Sequence, residues 1–110
     1  MLLIGNNMER NRRTPLPFQS QAALDAWAQR IGVSRRIRRW TVRDLAAKAA
    51  VSPSTVIAAE KGDPGIRLEN WLRILWTLDL VASLQDAAQA GTQSPEFRML
   101  SERLPIRVRR

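Results

Sequence analysis

Residues 41–62 read Thr41-Val-Arg-Asp-Leu-Ala-Ala-Lys-Ala-Ala-Val-Ser-Pro-Ser-Thr-Val-Ile-Ala-Ala-Glu-Lys-Gly62. The stretch predicts two short helices with a tight corner between them. The first carries Leu45, Ala46 and Ala49 on one face, and the second carries Val56, Ala59 and Glu60 on one face. Thr41 is placed to cap the first helix. Ser52 is placed to cap the second, with Pro53 at the first helical position, where its fixed φ is favourable and its missing N–H is not needed. Gly62 ends the second helix in the usual place. Ala49-Ala50-Val51-Ser52 is too short for anything but a sharp corner. This is a helix-turn-helix layout, whose second helix is shaped to enter a DNA major groove.

Working outward, Ser20 is a good N-cap, and Leu24, Trp27, Ala28 and Ile31 follow at helical spacing. A first helix is expected to run to about residue 38, with Gly32 costing about 1 kcal/mol relative to alanine. It ends in Arg35-Arg36-Ile37-Arg38-Arg39, more cations than the helix dipole calls for. This run reads as a phosphate-facing ridge or as a solvated basic end. Asp63-Pro64-Gly65 turns the chain. A fourth helix is expected at about 68–78 with Leu68, Trp71, Leu72, Leu75 and Leu78 as its core stripe, and Asp79 ends it. A fifth spans Leu80 to about Gln89, with Leu84 and Ala87 inward. Gly91-Thr92-Gln93 reads as a linker. Ser94-Pro95-Glu96 starts another amphipathic turn or two, with Phe97, Leu100 and Leu104 on one face. Residues 106–110 alternate apolar and basic, a strand pattern.

The expected fold is all-α, a compact five-helix bundle. Residues 1–19 form a disordered basic arm, 20–90 the helix-turn-helix domain, and 91–110 a linker, short helix and basic tail. The expected core is Leu24, Trp27, Ile31, Leu45, Ala46, Val51, Val56, Ala59, Ile66, Leu68, Trp71, Leu72, Leu75 and Leu78.

Composition agrees with a nucleic-acid partner. Formal net charge is +8, from 18 Lys+Arg against 10 Asp+Glu. All the basic residues but Lys48 and Lys61 are arginine, the side chain suited to phosphate and base edges. The chain has no cysteine and no histidine. It therefore lacks a disulfide framework, a thiolate nucleophile and the commonest general base, and no enzymatic constellation stands out. No cofactor or metal is expected. Met1-Leu2-Leu3-Ile4-Gly5 is too short for a signal peptide, and no stretch approaches the roughly 20 apolar residues of a membrane span. The expected compartment is the cytoplasm.

The pattern Ile31, Arg35, Thr41, Leu45-Ala46, Val51-Ser52, Ser54-Thr55 and Glu60-Lys61-Gly62 resembles the Cro/C1-type (lambda-repressor-like) helix-turn-helix family, also called the XRE family, over about residues 24–80. Within it, Ala59 to Ile66 and Leu75 to Leu80 are similar to HipB-like antitoxins, as is the basic ending Leu104 to Arg110. The resemblance implies a homodimeric, autorepressing transcription regulator of a toxin–antitoxin pair, able to bind a HipA-type kinase toxin. It also implies that Arg35 and Glu60 form a structural ion pair. Three positions depart from the pattern. Val42 stands where the family has a phosphate-gripping Gln, Ala50 where it has Gly, and Asp79 where it has Gly. Alanine at 50 carries backbone strain if its φ is positive.

The expected DNA-binding residues are Arg35, Arg36, Arg39, Thr41, Arg43, Ser52, Pro53, Ser54, Thr55, Ile57, Ala58 and Lys61. The outer face of the recognition helix holds no side chain capable of the bidentate Arg–guanine or Gln–adenine pairs. Ser54 and Thr55 can make single hydrogen bonds, Ile57 and Ala58 can touch thymine methyls, and Lys61 reaches phosphate or guanine. A near-palindromic operator would then be read largely by shape. Alternatively, Ile57 serves a protein contact, and the chain is an interaction module that neutralises a kinase with little DNA binding of its own. Trp76, Leu80 and Leu84 form a second apolar stripe, read as a dimer interface or as a seat for the chain's own C-terminal segment.

Overall fold

The computed structural model describes residues 14–105. Among these the chain is all-helical. It runs α1 (Phe18–Ile37), α2 (Val42–Ala49), α3 (Pro53–Lys61), α4 (Leu68–Thr77), α5 (Val81–Gln89), a 3-10 turn (Ala90–Gln93) and α6 (Pro95–Glu102). The expected arm up to residue 13 and the strand pattern at 106–110 lie outside the described residues.

α1 begins three residues earlier than Ser20 as its cap predicts. The chain enters the helix directly after Pro17, whose carbonyl accepts the Gln21 N–H at 3.0 Å. Ser20 therefore sits inside the first turn and caps nothing. Gly32 does not interrupt α1, and it lies against Glu60 of α3. A methyl group there would lie 3.3 Å from the Glu60 carboxylate and 3.2 Å from the Arg36 guanidinium.

α2 and α3 form the expected corner. Thr41 Oγ1 accepts the Asp44 N–H at 3.0 Å, and the Asp44 carboxylate accepts the Thr41 N–H at 2.9 Å. This reciprocal capping box satisfies two donors that a helix start leaves free. The Thr41 N–H donated to it, with a further contribution from the Thr41 side chain, holds the Asp44 carboxyl below its ordinary value. Ala50 ends α2 in the left-handed conformation (φ 59°, ψ 44°), the strained arrangement its place in the corner requires. Ser52 caps α3 by accepting the Thr55 N–H at 3.2 Å, and Gly62 closes it at φ 76°.

The core lies between α1, α2, α3 and α4. Ile31, Leu45, Ala46, Ala49, Val56, Ala59, Ile74, Leu75, Leu78 and Leu80 are buried, with Trp27, Trp40, Val51, Ile66, Trp71 and Leu84 packed against them. Two expectations fail here. Leu68 is 66% exposed, and Ile74 is fully buried in its stead. The inward stripe of α4 is Trp71, Ile74, Leu75 and Leu78, spaced i, i+3, i+4 and i+7, and Leu68, the first residue of the helix, lies outside the covered part. Leu80 is 5% exposed, so it belongs to the core of its own chain and not to an interface with Trp76. Ala87 is exposed, and no residue from 85 to 105 is buried. The bundle proper therefore ends within α5. No helix among the described residues is long and apolar enough to cross a membrane.

Candidate nucleic-acid interface

The basic run at the end of α1 divides into two pairs with different work. Arg35 turns inward. Its Nε donates to Glu60 Oε2 at 2.6 Å, its Nη2 to Glu60 Oε1 at 3.2 Å, and its Nη1 to the Trp40 carbonyl at 2.8 Å. Both side chains of the pair are about six-sevenths covered, at 14% and 16% exposure. The hydrogen bond to Glu60 raises the Arg35 pKa above its ordinary value; burial opposes this and the carboxylate's charge adds to it. Arg35 is thus a fastener between α1 and α3, and its assignment to DNA contact is corrected. Arg38 is a second fastener. It donates to the Leu78 carbonyl at 3.1 Å and to Asp79 at 3.3 Å, tying α1 to the end of α4. Its guanidinium and Lys48 Nζ both lie against the Trp40 ring, at 5.5 and 4.9 Å from the centroid. Arg36 and Arg39 remain exposed. Arg39 stands at φ 61°, in the turn that leads into α2.

The outward face of α3 carries Pro53, Ser54, Ile57 and Lys61, all exposed, with Thr55 and Ala58 half-buried at its flank. Its start is a cluster of hydroxyls. Ser52 Oγ lies 3.0 Å from Ser54 Oγ and 2.8 Å from Thr55 Oγ1, besides accepting the Thr55 N–H. Ser52 is thereby largely committed to capping, while Ser54 is the hydroxyl on the open face. Thr41 is likewise committed to its capping box. Arg43 is exposed on the first turn of α2.

Two clefts flank α3. On one side Arg36 and Lys61 line a cleft of about 490 Å³ together with Asp25, Gln29, Gly32 and Glu60. On the other, Ser54, Thr55 and Ala58 line a cleft of about 370 Å³ together with Asp63, Ile66, Arg67 and Asn70. Arg67 and Asn70 were not among the predicted site residues. Arg67 can donate two parallel N–H bonds and the Asn70 amide can both donate and accept, bidentate chemistry that the outer face of α3 lacks. The Asp63-Pro64-Gly65 turn brings them there, held by the Gly65 N–H donating to Asp63 Oδ1 at 2.8 Å. The sequence signal was available, a polar first turn directly after a tight turn. Asp63 is the acidic member of this cleft, and one of its oxygens is occupied by the turn.

Of the predicted interface residues, Trp76 is 71% exposed. It lines an apolar groove of about 490 Å³ with Ala49, Ala50, Leu72 and Arg73. Leu84 is half-buried against the core of its own chain. Trp76 is therefore the member of the predicted set that a partner can reach.

No family model matches this chain. No curated protein and no solved structure matches it either.

Proposed function

We propose that this chain is a sequence-specific DNA-binding repressor of the Cro/C1 type that works as a homodimer, with α3 as the recognition helix. The observation that carries the reading is the exposed outer face of α3, which opens on hydroxyls and is bordered by Arg36, Lys61 and Arg67 in a chain of net charge +8. The start of α3 offers the exposed Ser54 hydroxyl to phosphate, and arginines on either side match a charged backbone. Ile57 offers an apolar contact to thymine methyls. Arg67 and Asn70, like Arg36 on the other side of α3, are side chains able to make paired hydrogen bonds to a base edge. A two-fold dimer would place two such helices roughly 34–36 Å apart, on a near-palindromic operator.

The role as a HipB-like autorepressing antitoxin, with a HipA-type kinase as partner, is proposed on the sequence resemblance alone. A second reading, a module that holds a kinase with little DNA binding of its own, is favoured by the exposed apolar side chains of Ile57 and Trp76. Fluorescence anisotropy with DNA from the chain's own upstream region separates the two. On the repressor reading, log K falls by roughly 0.9 per phosphate contacted as log salt rises. Arg43→Ala weakens all sequences alike and lowers that slope by about one contact. Ile57→Ser weakens the preferred site selectively. No binding to upstream DNA at low salt would refute the repressor reading.

A further inference from the structure

α6 carries an apolar face that the described residues leave open. Phe97 is 47% exposed, Leu100 62% and Leu104 67%. They recur at i, i+3 and i+7 and so share one side of the helix and of the turn that continues it. The helix is well made: Ser94 Oγ accepts the Phe97 N–H at 3.1 Å, and Pro95 occupies its first turn. It packs on the 3-10 turn before it, and none of its residues is buried.

We propose that this face pairs with the same face of a second copy, as an antiparallel α6–α6 contact about a two-fold axis. Charge complementarity selects this occupant. Glu96 and Arg103 lie on the same flank of the apolar stripe, at opposite ends of it. Within one chain, seven residues of helix separate them by about 10 Å, beyond ion-pair reach. An antiparallel copy brings Glu96 of each chain beside Arg103 of the other, forming the pair twice. The same register sets Leu100 against its own copy near the axis and Phe97 against Leu104. A parallel two-fold pair would set this flank against the other flank of the partner helix and would not bring Glu96 to Arg103. An isologous contact of this kind closes at two copies. Two helices of this length bury less than the roughly 1,200 Å² of a tight complex, so the dimer should be weak, with Kd of roughly 10⁻⁵–10⁻⁴ M. The inference deepens the homodimer of the proposed function and does not depend on DNA binding.

Sedimentation velocity of the full chain from about 10 µM to 1 mM tests it. The expected result is a monomer–dimer equilibrium, lost in Leu100→Asp. Glu96→Arg and Arg103→Glu should each raise Kd by roughly threefold to tenfold, since each converts two attractions into repulsions. The double variant Glu96→Arg, Arg103→Glu should restore the wild-type Kd, an outcome that general loss of folding cannot produce. Because the chain has no cysteine, Leu100→Cys should form a disulfide-linked dimer on mild oxidation, whereas Glu102→Cys, on the opposite side of α6, should not. A wild-type monomer at 1 mM overturns the inference together with the homodimer. A wild-type dimer indifferent to Leu100→Asp and to the charge swaps overturns the inference alone and moves the interface to another surface such as Trp76.

Discussion

Glu60→Ala should be the most damaging single truncation of a partly exposed side chain in this protein. Glu60 accepts both the Nε–H and an Nη2–H of Arg35, at 2.6 and 3.2 Å, across the α1–α3 contact. Removing it leaves the two donors that faced Glu60 without an acceptor on a guanidinium whose side chain is 14% exposed, with the Trp40 carbonyl as its remaining partner. Hydrogen bonds to charged groups contribute about 1.5–3 kcal/mol each, and breaking a buried pair typically costs about 3–5 kcal/mol. The remaining exposure lets water reach part of the site, so the lower end applies, about 3 kcal/mol. For a bundle of this size each kcal/mol shifts Tm by about 4–8 °C, giving a fall of about 12–24 °C. Thermal unfolding followed by tryptophan fluorescence is the assay, since Arg35 also donates to the Trp40 carbonyl at 2.8 Å. A Tm within about 2 °C of wild type would refute the argument that this pair fastens α1 to α3. Gly32→Ala supplies an internal check. Its methyl would meet Glu60 Oε1 at 3.3 Å, and that oxygen is held by Arg35. The substitution should gain little in wild type, but should recover about 1 kcal/mol of helix propensity in the Glu60→Ala background.

Two further outcomes concern the corner between α2 and α3. Ala50→Gly relieves a left-handed alanine at φ 59° and should raise stability by about 1 kcal/mol, read as a higher urea midpoint at unchanged m-value. Asp44 has its pKa lowered by its hydrogen bonds to Thr41, so its contribution is fully present above the unfolded value of about 3.9 and is lost as pH falls through the folded value. Wild type should therefore exceed Asp44→Asn in stability at pH 7, and the difference should vanish in acid; a difference independent of pH would refute the charged capping box.

Local chemistry made much of the fold legible from sequence. Thr41, Ser52-Pro53 and Gly62 each act within a few residues of themselves, and the α2 and α3 ends they predict are those observed. The burial of Leu45, Ala46, Val56 and Ala59 follows from short-range periodicity in the same way. What failed depended on how helices meet. Ser20 looked like a cap because a hydroxyl before an apolar period usually is one, yet Pro17 started α1 earlier. Leu68 fits the apolar period of α4 but stands at its first residue, where no neighbouring helix covers it, and Ile74, left out of the expected stripe, completes the i, i+3, i+4, i+7 set with Trp71, Leu75 and Leu78. Leu80 read as part of an outer stripe until the turn at Asp79 folded it into the core.

The candidate site divides along the same line. The sequence by itself determined that the chain carries an excess of arginine, no histidine or cysteine, and a capped helix pair with an outer face of Ser54, Ile57 and Lys61. Those are properties of composition and of one helix's geometry. The family resemblance implies the pairing of Arg35 with Glu60, which the structure shows at 2.6 Å. Tertiary structure alone decided that Arg38 is a second fastener. Arg35 and Arg38 face carboxylates and carbonyls on other helices and are spent on holding them, whereas Arg36 and Arg39, their immediate neighbours, remain exposed. It also brought Arg67 and Asn70 beside α3 through a turn. A side chain's partner across 25 or 40 residues of chain is set by where two backbones come together, and no spacing along one helix encodes that.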